Sequence, residues 1–322
     1  MHTCPPPLEA LGKWLEEHPS TNGNFGHLLL LQKDVDGAAV RDALRPYFES
    51  AHLDARQIFH ADIGIDLHPD AGDCGEAPIE YPGCLPRTTR KGLFGEVMAG
   101  LVTESYELVG KHEWCVPIFL FRYHEDARNY LFALARDPER KRQTIGRLGS
   151  DFIGLLLGDD GTVIRFIAGE AKWRKTLTPS AVDTLMHGKK IDDPEGGEEK
   201  VHSGKGVWND VNNDPPVPIG VRQLMRLLQE HDPDGYDAAI LSMERSLVLN
   251  NPEPLPRTDL IIVVGNGAAT REKMDCLLPW EDMPDNYTAG HDLQLVEVIL
   301  KDGEELIDAL YESLWSDGGG NA

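Results

Sequence analysis

Paired cysteines are what this sequence most plainly lacks. Its five cysteines (Cys4, Cys74, Cys84, Cys115, Cys276) are odd in number and widely scattered. None forms a Cys-x-x-Cys pair, which excludes a zinc ribbon and a disulfide framework and points to free thiols in a reducing cytoplasm. Long apolar runs are missing too. The longest aliphatic stretch near the amino terminus covers residues 28–31, and the opening residues have neither the basic nor the apolar region of a leader. The expectation is a chain that neither crosses a membrane nor is exported. Positive charge is the third shortage: 31 Lys and Arg stand against 54 Asp and Glu, for a net charge of -23. Such a surface repels a phosphate backbone and argues against tight, autonomous binding of nucleic acid. With 41% hydrophobic residues over 322 positions, a core can nonetheless form without covalent staples.

One stretch departs from that charge balance. Between Arg136 and Lys175 there are nine basic and six acidic residues, so this part is net positive inside a strongly negative chain. Around it, hydrophobic periodicity predicts alternating helices and strands, hence an α/β fold with a mixed central sheet flanked by helices. Helices are expected at 8–17, 37–49, 91–109, 125–141, from Thr178-Pro179 onward, at 221–231 and up to Leu314. Strands are expected at 26–33, 58–67, 115–122, 151–157, 163–173, 237–241, 259–264 and 294–300. A turn-rich segment ending at Pro86 separates an amino-terminal accessory region, 1–86, from a core at 87–316. Residues 188–218 read as a polar insertion or long loop, and 317–322 as a disordered tail.

The chemistry concentrates where the basic stretch ends. Residues two apart on a strand share a face, so Glu170 and Lys172 point to one side while Ala171 faces away. Asp151 opens the preceding strand. Antiparallel pairing across the turn at 158–161, with its Asp-Gly step, brings Asp151 level with Glu170. Two carboxylates and a lysine in one pocket suit phosphodiester hydrolysis. The acids can seat Mg²⁺, or Mn²⁺ in its place, with the Ala171 carbonyl as a third ligand, while Lys172 orients or deprotonates the attacking water. A bare Glu-x-Lys is a common pattern whose usual meaning is a solvated pair. Its context here is more specific: helix, strand, acid-led strand, hairpin turn, Glu-x-Lys strand, helix is the order of a PD-(D/E)XK restriction-endonuclease-like core.

Three segments, KGLFGEVMAGLVTE, GRLGSDFIGLLL and FIAGEAKW, together resemble the HamA family, the nuclease subunits of Hachiman antiphage systems. The similarity covers residues 90–187, and more weakly the carboxy-terminal strand and helix. It implies a metal-dependent DNA nuclease held inactive until a superfamily 2 helicase partner, HamB, senses aberrant DNA. It also implies that Glu96, in the Phe94-Gly95-Glu96 step, is a further acid of the site. Periodicity alone places Glu96 opposite the apolar arc of Leu93, Val97 and Leu101, where a solvated side chain is expected. The Pro-Asp dipeptide of the class name is absent, since Ser150 precedes Asp151. Arg147, Arg174 and Lys175 flank the acids and are the candidate DNA contacts.

Other features admit other readings. Residues 265–270 follow a strand as a dinucleotide-binding turn would, but the third glycine is missing, which favours an ordinary strand end. His60, His68, His112 and His124 have no metal-ligand spacing. The acids Asp192, Asp193, Glu195, Glu198 and Glu199 form a solvated loop or, on a sharper reading, an internal phosphate mimic over the basic patch. Beside the nuclease stand two alternatives: a catalytically silent scaffold of the same fold that binds nucleic acid or a partner, and a nucleotide-binding protein using 265–270.

Overall fold

The computed structural model describes residues 1–63, 80–124, 150–194, 197, 199–248, 254–267 and 272–316. Its centre is a sheet of six strands: β1 (Leu15–Asn22), β2 (Phe25–Gln32), β3 (Phe152–Leu157), β4 (Val163–Arg174), β7 (Arg257–Asn266) and β8 (Asp292–Leu300). A two-stranded ribbon, β5 (Lys190–Ile191) with β6 (Val201–His202), lies apart from it. The sheet order is β1-β2-β8-β7-β4-β3. The inner four strands run parallel, and β1 and β3 pair antiparallel at the two edges. This is the mixed α/β sheet that the alternating pattern predicts. β1 and β2, from the segment expected to be accessory, extend the same sheet, because β2 is hydrogen-bonded along β8.

Continuous apolar runs make the central strands, since each is covered on both faces. In β2, all of FGHLLLLQ but the last residue is buried. Alternate residues divide between two layers. Leu28, Leu30, Ile262, Val264, Val296 and Val298 face helices α2 (Gly37–Ile63), α3 (Arg87–Ser105) and α8 (Gly303–Ser313). Leu29, Leu31, Ile261, Val263 and Leu295 face α4 (Pro179–His187) and α5 (Val207–Asn212). A third cluster joins β3 and β4 to α6 (Val221–His231) and α7 (Asp237–Val248). The edge strand β1 carries Glu16, Glu17 and Pro19, which discourage further pairing. Among the described residues no helix is long and apolar enough to cross a membrane.

Several elements differ from expectation, each for a local reason. The short helix α1 (Leu8–Trp14) stops where β1 begins, so residues 15–17 are strand. The strand expected at 58–67 begins inside α2, which runs on to Ile63. The one expected at 115–122 is reduced to a single bridge between Cys115 and Leu155. Pro117 has no N–H with which to continue a ladder, and its carbonyl instead accepts from the His2 backbone. The segment 237–241 opens α7, where Ala239, Met243 and Ser246 are buried at helical spacing, a period that five residues were too few to reveal. The helix expected at 125–141 lies outside the described residues. The Thr178 cap is as predicted, its hydroxyl accepting from the Ala181 N–H.

α2 and α8 meet around a completely buried imidazole. His52 Nδ1 lies 3.0 Å from the Tyr81 hydroxyl and Nε2 3.2 Å from the Tyr311 hydroxyl. Burial lowers its pKa from 6.5 to about 3. The unfolded chain therefore takes up a proton that the folded chain refuses between these values, and stability falls as pH drops below 6.5. His52 alone contributes a slope approaching ~1.4 kcal/mol per pH unit. Denaturant titrations from about pH 7 down to about pH 5 are expected to show this slope in the native chain and a shallower one in His52→Gln. Equal slopes would rule the attribution out.

Candidate functional site

The site is built where one strand outlasts its neighbour. Along β4, Ile167, Ala171 and Trp173 pack toward α3, while Phe166 and Ala168 enter the cluster with α6 and α7. Glu170 and Lys172 continue the Phe166 side of the strand beyond that cluster, as period two requires. The hairpin register pairs Phe152 with Gly169. The Asp151 N–H then donates to the Gly169 carbonyl at 2.9 Å, which puts the Asp151 side chain level with Glu170.

The three predicted residues meet directly. Asp151 Oδ2 accepts from Lys172 Nζ at 2.9 Å and from the Ala171 N–H at 3.0 Å, and Glu170 Oε2 lies 2.5 Å from the same ammonium. Burial, reinforced by the Asp151 charge, pushes the Glu170 carboxyl up to about 7. Burial alone would lower the Lys172 pKa, but Asp151 and Glu170 together outweigh it and raise the ammonium above its ordinary value. Lys172 is thus a cation at neutral pH.

These residues open into a cavity of about 690 Å³ that is also lined by Thr88, Lys91, Gly92 and Glu96 of α3, by residues within 209–219 and by Arg257. Glu96 lines it and is 4% exposed. The solvated position that periodicity assigns to Glu96 is incorrect, because α3 is enclosed on nearly every side and even Thr103 on that flank is buried. Thr88, Lys91, Gly92 and Glu96 form a narrow polar stripe at helical spacing within this apolar helix. That stripe is the sequence signal that the apolar arc obscures. Arg174 is exposed at the cavity's edge, and Lys175 is exposed and paired with Glu304 at 2.7 Å. Arg147 lies outside the described residues.

The segment 188–218, expected to be a loop, contains the small ribbon and α5 and brings Asp210 and Asp214 to the cavity. Asp214 accepts from the Ser150 hydroxyl at 3.2 Å and pairs with buried Arg257 at 2.6 Å. Arg257 also pairs with Asp259 at 2.5 Å, and the Tyr287 hydroxyl donates to that carboxylate at 2.6 Å. No local pattern marks these residues, which lie far apart in the chain. Asp192, Asp193 and Glu199, the described members of the acid run read as a phosphate mimic, do not line the cavity, and Asp192 pairs with Lys200 at 3.4 Å.

For a divalent cation the donor set fits in kind. Asp151 and Glu170 converge on one positive charge. The Ala171 carbonyl leaves β4 on the same edge as its N–H, which already meets Asp151. Oxygen-only donors of this sort suit a hard ion. Glu96 shares the cavity without completing a compact trio. Among the described residues, the group whose ligand atoms all lie within 4.8 Å of one another is His27, Cys276 and Glu297. This candidate metal-binding triad draws on β2, the 272–276 segment and β8, so no spacing rule could find it. It is already hydrogen-bonded: Lys273 Nζ is 2.6 Å from His27 Nδ1, His27 Nε2 is 3.1 Å from Glu297, and Glu297 accepts from the Leu277 and Leu278 N–H groups. The lysine donates to Nδ1, so Nε2 carries the hydrogen toward the carboxylate.

Of the segment read as a dinucleotide turn, 268–270 lie outside the described residues. Gly265 lies inside β7, where an added Cβ would sit 2.0 Å from the Arg174 carbonyl oxygen, so the residue serves strand pairing. Gly169 is equally constrained: a Cβ there would fall 1.7 Å from the Leu260 carbonyl oxygen. Gly169→Ala must push β4 from β7 at the residue that anchors Asp151. The expected cost is about 1–3 kcal/mol of unfolding free energy, measured in denaturant, and an undiminished midpoint would contradict it. Comparison with protein-family models and with curated proteins gives no match to this chain.

Proposed function

We propose that the chain is a divalent-metal-dependent deoxyribonuclease of the PD-(D/E)XK type. The observation that carries the reading is the convergence of Asp151 and Glu170 on Lys172 in one open cavity, from an acid-led strand and the strand paired with it. The order α3, β3, turn, β4, α4, β7 around that convergence supports the same core.

In this mechanism Asp151, Glu170 and the Ala171 carbonyl hold Mg²⁺, or Mn²⁺. The chemistry such an ion supplies when bound is neutralisation of phosphate charge and acidification of water. Lys172 offsets the charge that develops on the phosphate oxygens and orients or deprotonates the attacking water. Glu96 lines the same cavity, and Arg174 at the rim offers a backbone contact.

The likeness of residues 90–187 to the HamA family extends the proposal. In that reading the nuclease is an antiphage effector, and its helicase partner HamB supplies the DNA engagement that a chain of charge -23 lacks. The protein combined with the helicase, Mg²⁺ and plasmid is expected to cleave DNA. Lys172→Ala and Glu170→Ala should each lower the rate by at least ~10²-fold. Cleavage that survives Lys172→Ala, or no cleavage by the complete mixture, would favour the scaffold reading instead.

A further inference from the structure

One carboxylate near the site engages two lysines at once. Glu304, in the first turn of α8, places Oε1 against Lys91 of α3 and Oε2 2.7 Å from Lys175, just past the end of β4. Its side chain is only 11% exposed, while Lys91 is 18% and Lys175 75% exposed. Lys91 lines the same cavity as Glu170 and Lys172. Lys175 follows Lys172 by three positions, about 10 Å along an extended chain. The start of α8 is held firmly in place. Gly303 donates to Asn266 Oδ1 at 2.8 Å, and an added Cβ on it would fall 2.5 Å from the Trp173 ring.

Two oxygens of one anion, each held by a separate ammonium, is also how two lysines hold the non-bridging oxygens of a phosphodiester. An ion pair with so exposed a lysine adds little to folding stability, so stability alone does not account for the arrangement. Lysines 91 and 175 also strongly favour the ionised carboxylate, which lies well below the ordinary range, at about 2.

Building on the nuclease reading, we infer that Lys91 and Lys175 form a subsite for a DNA backbone phosphate beside the reacting position, and that Glu304 occupies it as an internal competitor until DNA displaces it. A strand whose reacting phosphate lies at Lys172 then passes over Lys91 and Lys175 on its way out of the cavity. Binding of DNA must break both ion pairs, which weakens the free chain's affinity.

The test is binding, kept separate from cleavage. The full-length chain is titrated into a fluorescently labelled single-stranded DNA oligonucleotide at low salt with chelator present. Glu304→Gln is expected to bind roughly three- to tenfold tighter than the native chain, with a salt dependence steeper by about one to two phosphate contacts. Lys91→Gln added to Glu304→Gln should abolish the gain. Glu312→Gln, an exposed carboxylate on the same helix, removes the same charge and should produce none of it. Three outcomes overturn the subsite: no gain in Glu304→Gln, an equal gain in Glu312→Gln, or a gain that persists without Lys91. Because no metal is present, these results stand apart from plasmid cleavage. A gain without any cleavage would sink the nuclease reading and leave the phosphate subsite intact.

Discussion

Antiparallel pairing of β3 with β4 ends at the hydrogen bond from the Asp151 N–H to the Gly169 carbonyl, and beyond it no strand among the described residues pairs with β4 on that side. An exposed strand edge leaves backbone groups without partners, which is costly in a half-buried setting. Here the Asp151 side chain takes over the task of the missing strand by accepting from the Ala171 N–H. The same carboxylate oxygen then reaches Lys172. One local need, satisfying an amide at the end of a ladder, therefore fixes where the acid lies relative to the lysine. Gly169 makes this possible, because only a residue without Cβ lets β4 approach Leu260 closely enough.

Holding charge at this place has a cost that the fold meets in layers. Two carboxylates and one ammonium leave an excess negative charge in a poorly solvated pocket, and Glu170 responds with a pKa near 7. Replacing such a group with apolar side chains would often be neutral or stabilising for a fold alone. The surroundings repeat the theme: Arg257 sits between Asp214 and Asp259, and Tyr287 braces Asp259 from behind. Ser150, next to the acid, is tied into the same chain through Asp214. The rim segment is thus tied to Ser150 and to Arg257 of β7 by charged hydrogen bonds, in addition to the apolar packing of Val211 and Val217.

How much of this was legible from sequence depends on how far apart the cooperating residues lie. Glu170 and Lys172 are two positions apart, and a strand's period reveals their shared face directly. Asp151 needs one more step, the hairpin turn, and the register is local enough to infer. Glu96 fails the same test because reading a helix by its apolar arc assumes one dry and one wet face, whereas α3 is enclosed on both. Asp214 and Arg257 sit in different elements from the acids they serve, and His27, Cys276 and Glu297 span most of the chain. Contacts of that kind are set by strand order, and the β2-β8-β7-β4 succession has no signature in local pattern. The expected strand at 115–122 marks the opposite error: its composition suits a strand, but Pro117 cannot donate to a ladder.

The net charge and the site are reconciled by position rather than amount. Fifty-four acids against 31 bases would defeat a nuclease whose cations were spread evenly. Instead Lys91, Lys172 and Arg174 line one cavity, and Lys175, next in the chain after Arg174, shares Glu304 with Lys91. Screening confines the repulsion of distant carboxylates to about a Debye length, ~10 Å at moderate salt, so the local set governs a bound strand while the global charge governs its approach. Of the nearby acids, Asp151 and Glu170 pair with Lys172, and Glu304 pairs with both Lys91 and Lys175. Each of these three lysines is thus already paired inside the resting protein. An anionic ligand gains only the difference between its own contacts and those it replaces. On the proposed nuclease reading, pairing of this kind is what would keep the site quiet toward stray nucleic acid until a partner raises the local concentration of DNA.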